Sequence, residues 1–211
     1  MLQNKNIAVQ QDKALTLLES IIQIPDDYAL VNCLLFNHDD QPIFVFRYEH
    51  VNGVCKGLGG EHFSVSIDLA ATKVMGFMHI EKQHCGPGLP TDDAARQLAI
   101  EFLPQVAADL VDSYEVKWIM RQLEEPNKIP HESPFPFRDE NDHKCLVTGV
   151  RVKFFFEKLG AWGWVIVGRN NKVIAFEREI IWSTTLNRRS TPAWLHDNFV
   201  EELVSELGRL K

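Results

Sequence analysis

The chain has 211 residues, of which 45% are hydrophobic and 24% charged, and it carries a formal charge of −7 at neutral pH. Such a chain can bury a real core as one large domain or two small ones, and its acidic balance argues against a nucleic-acid partner, because phosphate binding requires clustered Lys and Arg. No apolar run reaches the roughly 18 residues of a membrane span, and the opening MLQNKNIAVQQDK lacks a signal-type apolar core, so the expectation is a cytoplasmic protein with no membrane contact.

From Val9 to Ile24 the apolar positions Ala14, Leu17, Leu18, Ile21 and Ile22 recur at helical spacing, and Pro25 ends the pattern. Tyr28 to Phe36 reads as a buried strand, Asn37 to Asp40 as a turn, and Pro42 to His50 as a second strand with Phe44, Phe46 and Tyr48 alternating. A Gly-rich link with Gly53, Gly57, Gly59 and Gly60 leads into a hairpin from Phe63 to Ile80. The segment QHCGPGLP, 83–90, holds two Gly and two Pro and reads as a junction. Thr91 is a suitable N-cap for a second helix with Asp92 and Asp93 in its first turn, an apolar stripe through Ala94, Ala95, Leu98, Ala99 and Phe102, and a stop or kink at Pro104.

A strand follows at Tyr114 to Met120, then a Pro-rich charged stretch, 122–145, that reads as a long irregular loop, then a strand from Leu146 to Phe156. Trp162 to Trp182 forms a second hairpin around Arg169-Asn170-Asn171-Lys172, since Asn tolerates the positive φ that tight turns demand. Thr191 as N-cap and Pro192 at the first helical position predict a C-terminal helix with Trp194, Leu195, Phe199, Leu203 and Leu207 on one side.

The two hairpins echo each other: Lys73-Val74-Met75-Gly76-Phe77 lies over Lys172-Val173-Ile174-Ala175-Phe176, 99 positions apart. The expected fold is α+β, two tandem helix-plus-antiparallel-sheet repeats with an extra C-terminal helix: 1–82, a linker at 83–90, and 91–211 carrying the 122–145 insertion. The residues DDAARQLAIEF (Asp92 to Phe102), Ser64 to Phe77 and Val165 to Phe176 resemble the PepSY-like repeats, and in particular the tandem repeated domain of YcdB/YcdC-type bacterial proteins. That resemblance implies cystatin-like units, one helix packed on an antiparallel sheet, in families that bind or restrain other proteins.

Chemical motifs are sparse. The α/β-hydrolase elbow, the Walker A loop and a strand-to-helix G-x-G-x-x-G are absent. His79, His84 and Cys85 near the junction, with His143 and Cys145 in the long loop, could ligate zinc, but no CxxC or HxxxH pair is present and surface His with free thiols is the simpler expectation, so neither metal nor cofactor is expected. The four cysteines, Cys33, Cys55, Cys85 and Cys145, lie far apart and read as free thiols. Cys85 beside Gly86 as a nucleophile needs a partner His that the spacing does not identify. The adjacent carboxylate pairs Asp39-Asp40, Asp92-Asp93 and Glu124-Glu125 read as turn, helix start and solvated loop.

Trp162 and Trp164 share one strand face; with Trp182 and Arg188 they either line a groove for a peptide or ligand, or pack under the final helix against Trp194 and Phe199. Gly57, Gly59 and Gly60 either present a contact loop or simply permit a wide connection. The leading expectation is a non-catalytic module that binds a protein or peptide, with a basic partner as in inhibitor or immunity proteins. The alternatives are an enzyme or small-molecule carrier with a pocket between the repeats, and a homo-oligomeric scaffold such as a homodimer.

Overall fold

The structure is a computed structural model and describes residues 2–122, 135–139, 141–185 and 188–209. Helix α1 (Leu2–Ile21) is followed by strands β1 (Tyr28–His38), β2 (Gln41–His50), β3 (His62–Asp68) and β4 (Val74–Ile80). Helix α2 (Asp92–Val106) is followed by β5 (Tyr114–Gln122), a small hairpin of β6 (Phe135–Arg138) and β7 (Lys144–Val147), and then β8 (Gly149–Phe156), β9 (Ala161–Val167) and β10 (Val173–Ile180). A short pair, β11 (Trp182–Ser183) and β12 (Arg188–Arg189), precedes helix α3 (Asp197–Arg209).

The eight long strands form a single antiparallel sheet in the order β1-β2-β3-β4-β10-β9-β8-β5. A helix followed by a four-strand meander therefore occurs twice along the chain, and the halves meet where β4 pairs with β10. At that seam Phe77 lies directly opposite Phe176, the two positions that coincide in the sequence echo. Gly76 makes the close approach possible, because a Cβ there would sit 2.6 Å from the Phe176 carbonyl oxygen.

Both faces of the sheet are covered, which is why β3 and β4 are buried at every position, the alternating polar residues of β3 (His62, Ser64, Ser66 and Asp68) included. On one face α1 and the residue after it bring Ala14, Leu18 and Ile22, and α2 brings Ala95, Ala99 and Leu103, onto Phe44, Phe46, Val65, Phe77, Val152 and Phe176. On the other face Phe135 and Phe137 of β6, with Leu195, pack on Ile43, Val45, Met78, Trp164, Ile166 and Ile180. The 122–145 expectation is corrected in part: 123–134 lie outside the described residues, but β6 and β7 form a registered hairpin. The period-two pair Phe135/Phe137, inward on either side of Pro136, is the cause, since Pro needs no ladder partner on a strand edge.

Thr91 caps α2 by accepting from the Ala94 N–H, as expected, and the helix continues through Pro104 to Val106. The C-terminal helix is a correction. It starts at Asp197, not Thr191, because Thr191 is buried and its hydroxyl accepts from the Ile181 N–H while donating to Asp39 Oδ2. Asn170 and Asn171 both take the left-handed conformation (φ 56° and 60°) that the β9–β10 turn requires. Asn170→Val is therefore expected to destabilise the protein by about 1–2 kcal/mol, whereas Asn171→Gly should leave the urea-unfolding midpoint nearly unchanged.

Candidate functional site

Strand β1 is the edge of the sheet, paired only with β2 on its inner side among the described residues. The sequence YALVNCLLF predicts a buried strand; the structure corrects this. Leu30, Val31, Leu34 and Leu35 are 41–49% exposed in the middle of the strand, and Val31 is the extra residue of a bulge, without a partner in the β1–β2 register. An apolar run shows that a strand forms; what lies beyond it decides burial. An outer edge presents backbone N–H and C=O groups that are ready to pair with another strand.

Both ends of β1 are pinned. At the start, Tyr28 is buried with its ring edge-on to His50 and His79, and Asp27 lies 2.9 Å from His50 Nε2. At the end, Phe36 stacks on Trp194 at 4.2 Å, and Trp194 Nε1 donates to the Asn37 carbonyl at 2.7 Å. The turn beyond is tied to the C-terminal segment through the Thr191–Asp39 hydrogen bond. The exposed middle is thus a rigid, extended template bracketed by two exposed acidic pairs, Asp26-Asp27 and Asp39-Asp40. No Lys or Arg occurs from Pro25 to Phe46.

The C-terminal segment is anchored in turn by two buried ionic clusters. In the first, Arg47 donates to Asp197 Oδ1 and Oδ2 at 2.7 and 3.1 Å and to Glu49 Oε1 at 2.8 Å. In the second, Glu177 accepts from Arg189 at 2.7 Å and from Trp164 Nε1 at 3.1 Å, with His196 Nε2 at 2.9 Å. Burial alone would raise the Glu177 pKa, but the Arg189 charge and His196 overcome it and hold the carboxyl well below the usual range. These residues, together with Arg47, Glu49 and Asp197, escaped sequence reasoning, for their partners lie up to 150 positions apart.

Trp162, Trp164 and Trp182 do converge, but on a side chain instead of an open groove. Lys153 Nζ lies 4.4 Å from the Trp182 ring, 5.1 Å from Trp162, 5.4 Å from Trp118 and 5.9 Å from Trp164. Trp162 stacks on Trp118, and Trp194 packs on Phe36 and Phe199, so the tryptophans do not form one layer under α3. Arg188 is exposed; its neighbour Arg189 is the residue that turns inward. In the glycine loop, the Gly57 carbonyl accepts from Arg47 and the Gly59 N–H donates to Asp197, so these backbone groups serve the first ionic cluster; Gly60 has no room for a Cβ, which would meet the Cys55 carbonyl.

Of the candidate metal ligands, His84 is buried beside His79, with Glu81 completing the group. Cys85 instead packs with Cys145 against the opposite core, and His143 is an exposed side chain 3.6 Å from Asp139. Among the described residues no disulfide links the four cysteines. A groove of about 800 Å³ runs between α1 and the first meander, lined by Asn6, Ile7, Gln10, Pro42, Asp68 and Leu69. It contains none of the His, Cys or Trp candidates. Among the described residues no helix is long and apolar enough to cross a membrane.

Comparison with protein families matches residues 11–148 to the YcdB, YcdC repeated domain, a span that runs from α1 into β8's approach and covers the edge strand. Comparison with curated proteins and with solved structures found no match.

Proposed function

The chain belongs to the YcdB, YcdC repeated-domain family, and from its geometry we propose a non-catalytic binding module that takes an extended, basic segment of a partner protein along β1. We read the two helix-and-meander halves, 1–82 and 91–211 joined by 83–90, as tandem units, with the partner adding a ninth strand to the first. The carrying observation is the pinned edge strand with four apolar side chains exposed in its middle. A partner strand would gain main-chain hydrogen bonds from the edge and apolar contact from Leu30, Val31, Leu34 and Leu35.

Charge decides the kind of partner. Acidic pairs flank the strand at both ends and no cation lies within it, so basic residues on either side of an apolar run complement it. Two copies of this chain pair poorly: an antiparallel β1–β1 contact sets Asp26-Asp27 against Asp39-Asp40 at each end. An inhibitor or immunity-type role toward a basic protein follows from the same complementarity. The small-molecule reading has less support, because the α1 groove carries no converging catalytic groups and the tryptophans are filled by Lys153.

The test is fluorescence anisotropy with a labelled extended peptide of alternating Lys and Val. Leu30→Lys with Leu34→Lys is expected to weaken binding at least tenfold, about 1.4 kcal/mol, with the thermal midpoint changed by only a few degrees. Binding should also weaken as salt is raised. Undiminished binding by the double variant overturns the reading; a wild-type dimer that the variant dissociates replaces it with the scaffold.

A further inference from the structure

We propose that His79, Glu81 and His84 form a binding site for a divalent first-row transition-metal ion of the zinc class. The site does not depend on the edge-strand reading. It lies where β4 ends: His79 is the penultimate residue of the strand, Glu81 the residue that turns the chain, and His84 closes the short 3-10 turn of Lys82–His84. The spacing H-x-E-x-x-H thus folds three ligand types onto one point, with donor atoms within 4.8 Å of one another.

The distances suit a small ion. Two nitrogens each about 2.0–2.1 Å from a tetrahedral zinc stand about 3.3 Å apart, and His79 Nδ1 lies 3.4 Å from His84 Nε2. Glu81 Oε2 is 4.0 Å from His84 Nε2 and belongs to the one side chain of the three that is partly exposed, at 21%, and can close the remaining gap by rotation. A cation bound between Nδ1 and Nε2 would take the place of the hydrogen bond that joins the two rings.

Two further features point to a ligand. His79 is 1% exposed, its Nδ1 faces His84 Nε2 and its Nε2 lies 2.9 Å from Glu81 Oε2, so both nitrogens of a buried imidazole face the other two members of the group. The Tyr28 hydroxyl, on a ring that lies edge-on to His79, is buried without a partner. Native interiors rarely leave such groups unpaired.

The test is calorimetric titration of the metal-free full chain with zinc chloride, with thermal unfolding in parallel. One zinc per chain and a raised thermal midpoint are expected, because an ion that binds only the folded state stabilises it by mass action. Glu81→Gln keeps the shape of a partly exposed side chain and should weaken zinc at least tenfold, as should His84→Gln; circular dichroism of each metal-free variant checks the fold. Cobalt(II) should give visible ligand-field absorption in the wild type that both variants lose. Absence of zinc binding overturns the proposal, and so does binding that survives both variants but is lost in Cys85→Ser, His143→Gln or Cys145→Ser.

Discussion

Asp197→Ala is expected to destabilise the protein by about 3–5 kcal/mol, the typical penalty for removing one partner of a buried ion pair. The carboxylate lies at the start of α3 with only 9% of its side chain exposed, and it accepts two hydrogen bonds from Arg47 and one from the Gly59 N–H at 2.7 Å. Alanine removes all three at once. Arg47 keeps Glu49 and the Gly57 carbonyl, which places the loss toward the lower end of the range, but the Gly59 N–H loses its Asp197 acceptor. Urea unfolding followed by tryptophan fluorescence measures the change. In a double-mutant cycle, Arg47→Ala and Asp197→Ala should couple by about 1–3 kcal/mol. A loss below about 1 kcal/mol would mean that α3 is held by its apolar face alone.

His62, beside Asp197, governs stability in mild acid. His62 Nδ1 donates to the Gly60 carbonyl at 3.0 Å and lies 3.5 Å from Asp197, and burial, partly offset by that carboxylate, pushes its pKa down to about 4. A base whose folded pKa lies below its unfolded value near 6.5 must stay neutral in the fold. Its contribution is therefore complete above the unfolded pKa and is lost as pH falls from about 6.5 to about 4.

Much of the architecture is legible in local pattern. The hairpin at Asn170-Asn171, the Thr91 cap and the apolar faces of α1 and α2 depend on residues within one turn of each other, and those are what a sequence displays. The Phe77–Phe176 seam is foreshadowed by the sequence echo. What a single chain does not display is which groups meet across the sheet. Arg47 and Asp197 are 150 positions apart, Thr191 is drawn from its expected capping role by Asp39, and β1 is exposed although its composition is that of a buried strand. The residues able to ligate a metal are sorted by the fold in a way that the sequence does not display. His84 and Cys85 are adjacent, but the backbone sends one side chain to the helix side of the sheet and the other to the opposite core, while Glu81 supplies the third group. Carboxylates are too common in sequence to be noticed until two imidazoles are placed beside one.

Glu177→Gln isolates charge from shape in the second cluster and should destabilise the protein by about 3–5 kcal/mol at pH 7. The glutamine fills the same space between Arg189, His196 and Trp164 Nε1, so packing is conserved and the lost term is the counter-charge to Arg189. Arg189 retains its hydrogen bonds to the Thr191 and Pro192 carbonyls, neutral acceptors that do not balance a buried cation. The sign of the pH effect separates this account from a packing defect. A carboxyl depressed in the fold contributes stability above its ordinary pKa of 4.5, and that contribution disappears as pH falls below this value toward the folded pKa. Wild-type stability should therefore drop steeply below about pH 4.5, on top of the His62 loss at higher pH. Glu177→Gln, which has nothing to protonate, should be weaker at pH 7 but flatter in that lower window, so that the two urea-midpoint curves converge in acid. Parallel curves would show that Glu177 acts by its volume and not its charge, and that Arg189 is balanced by another group.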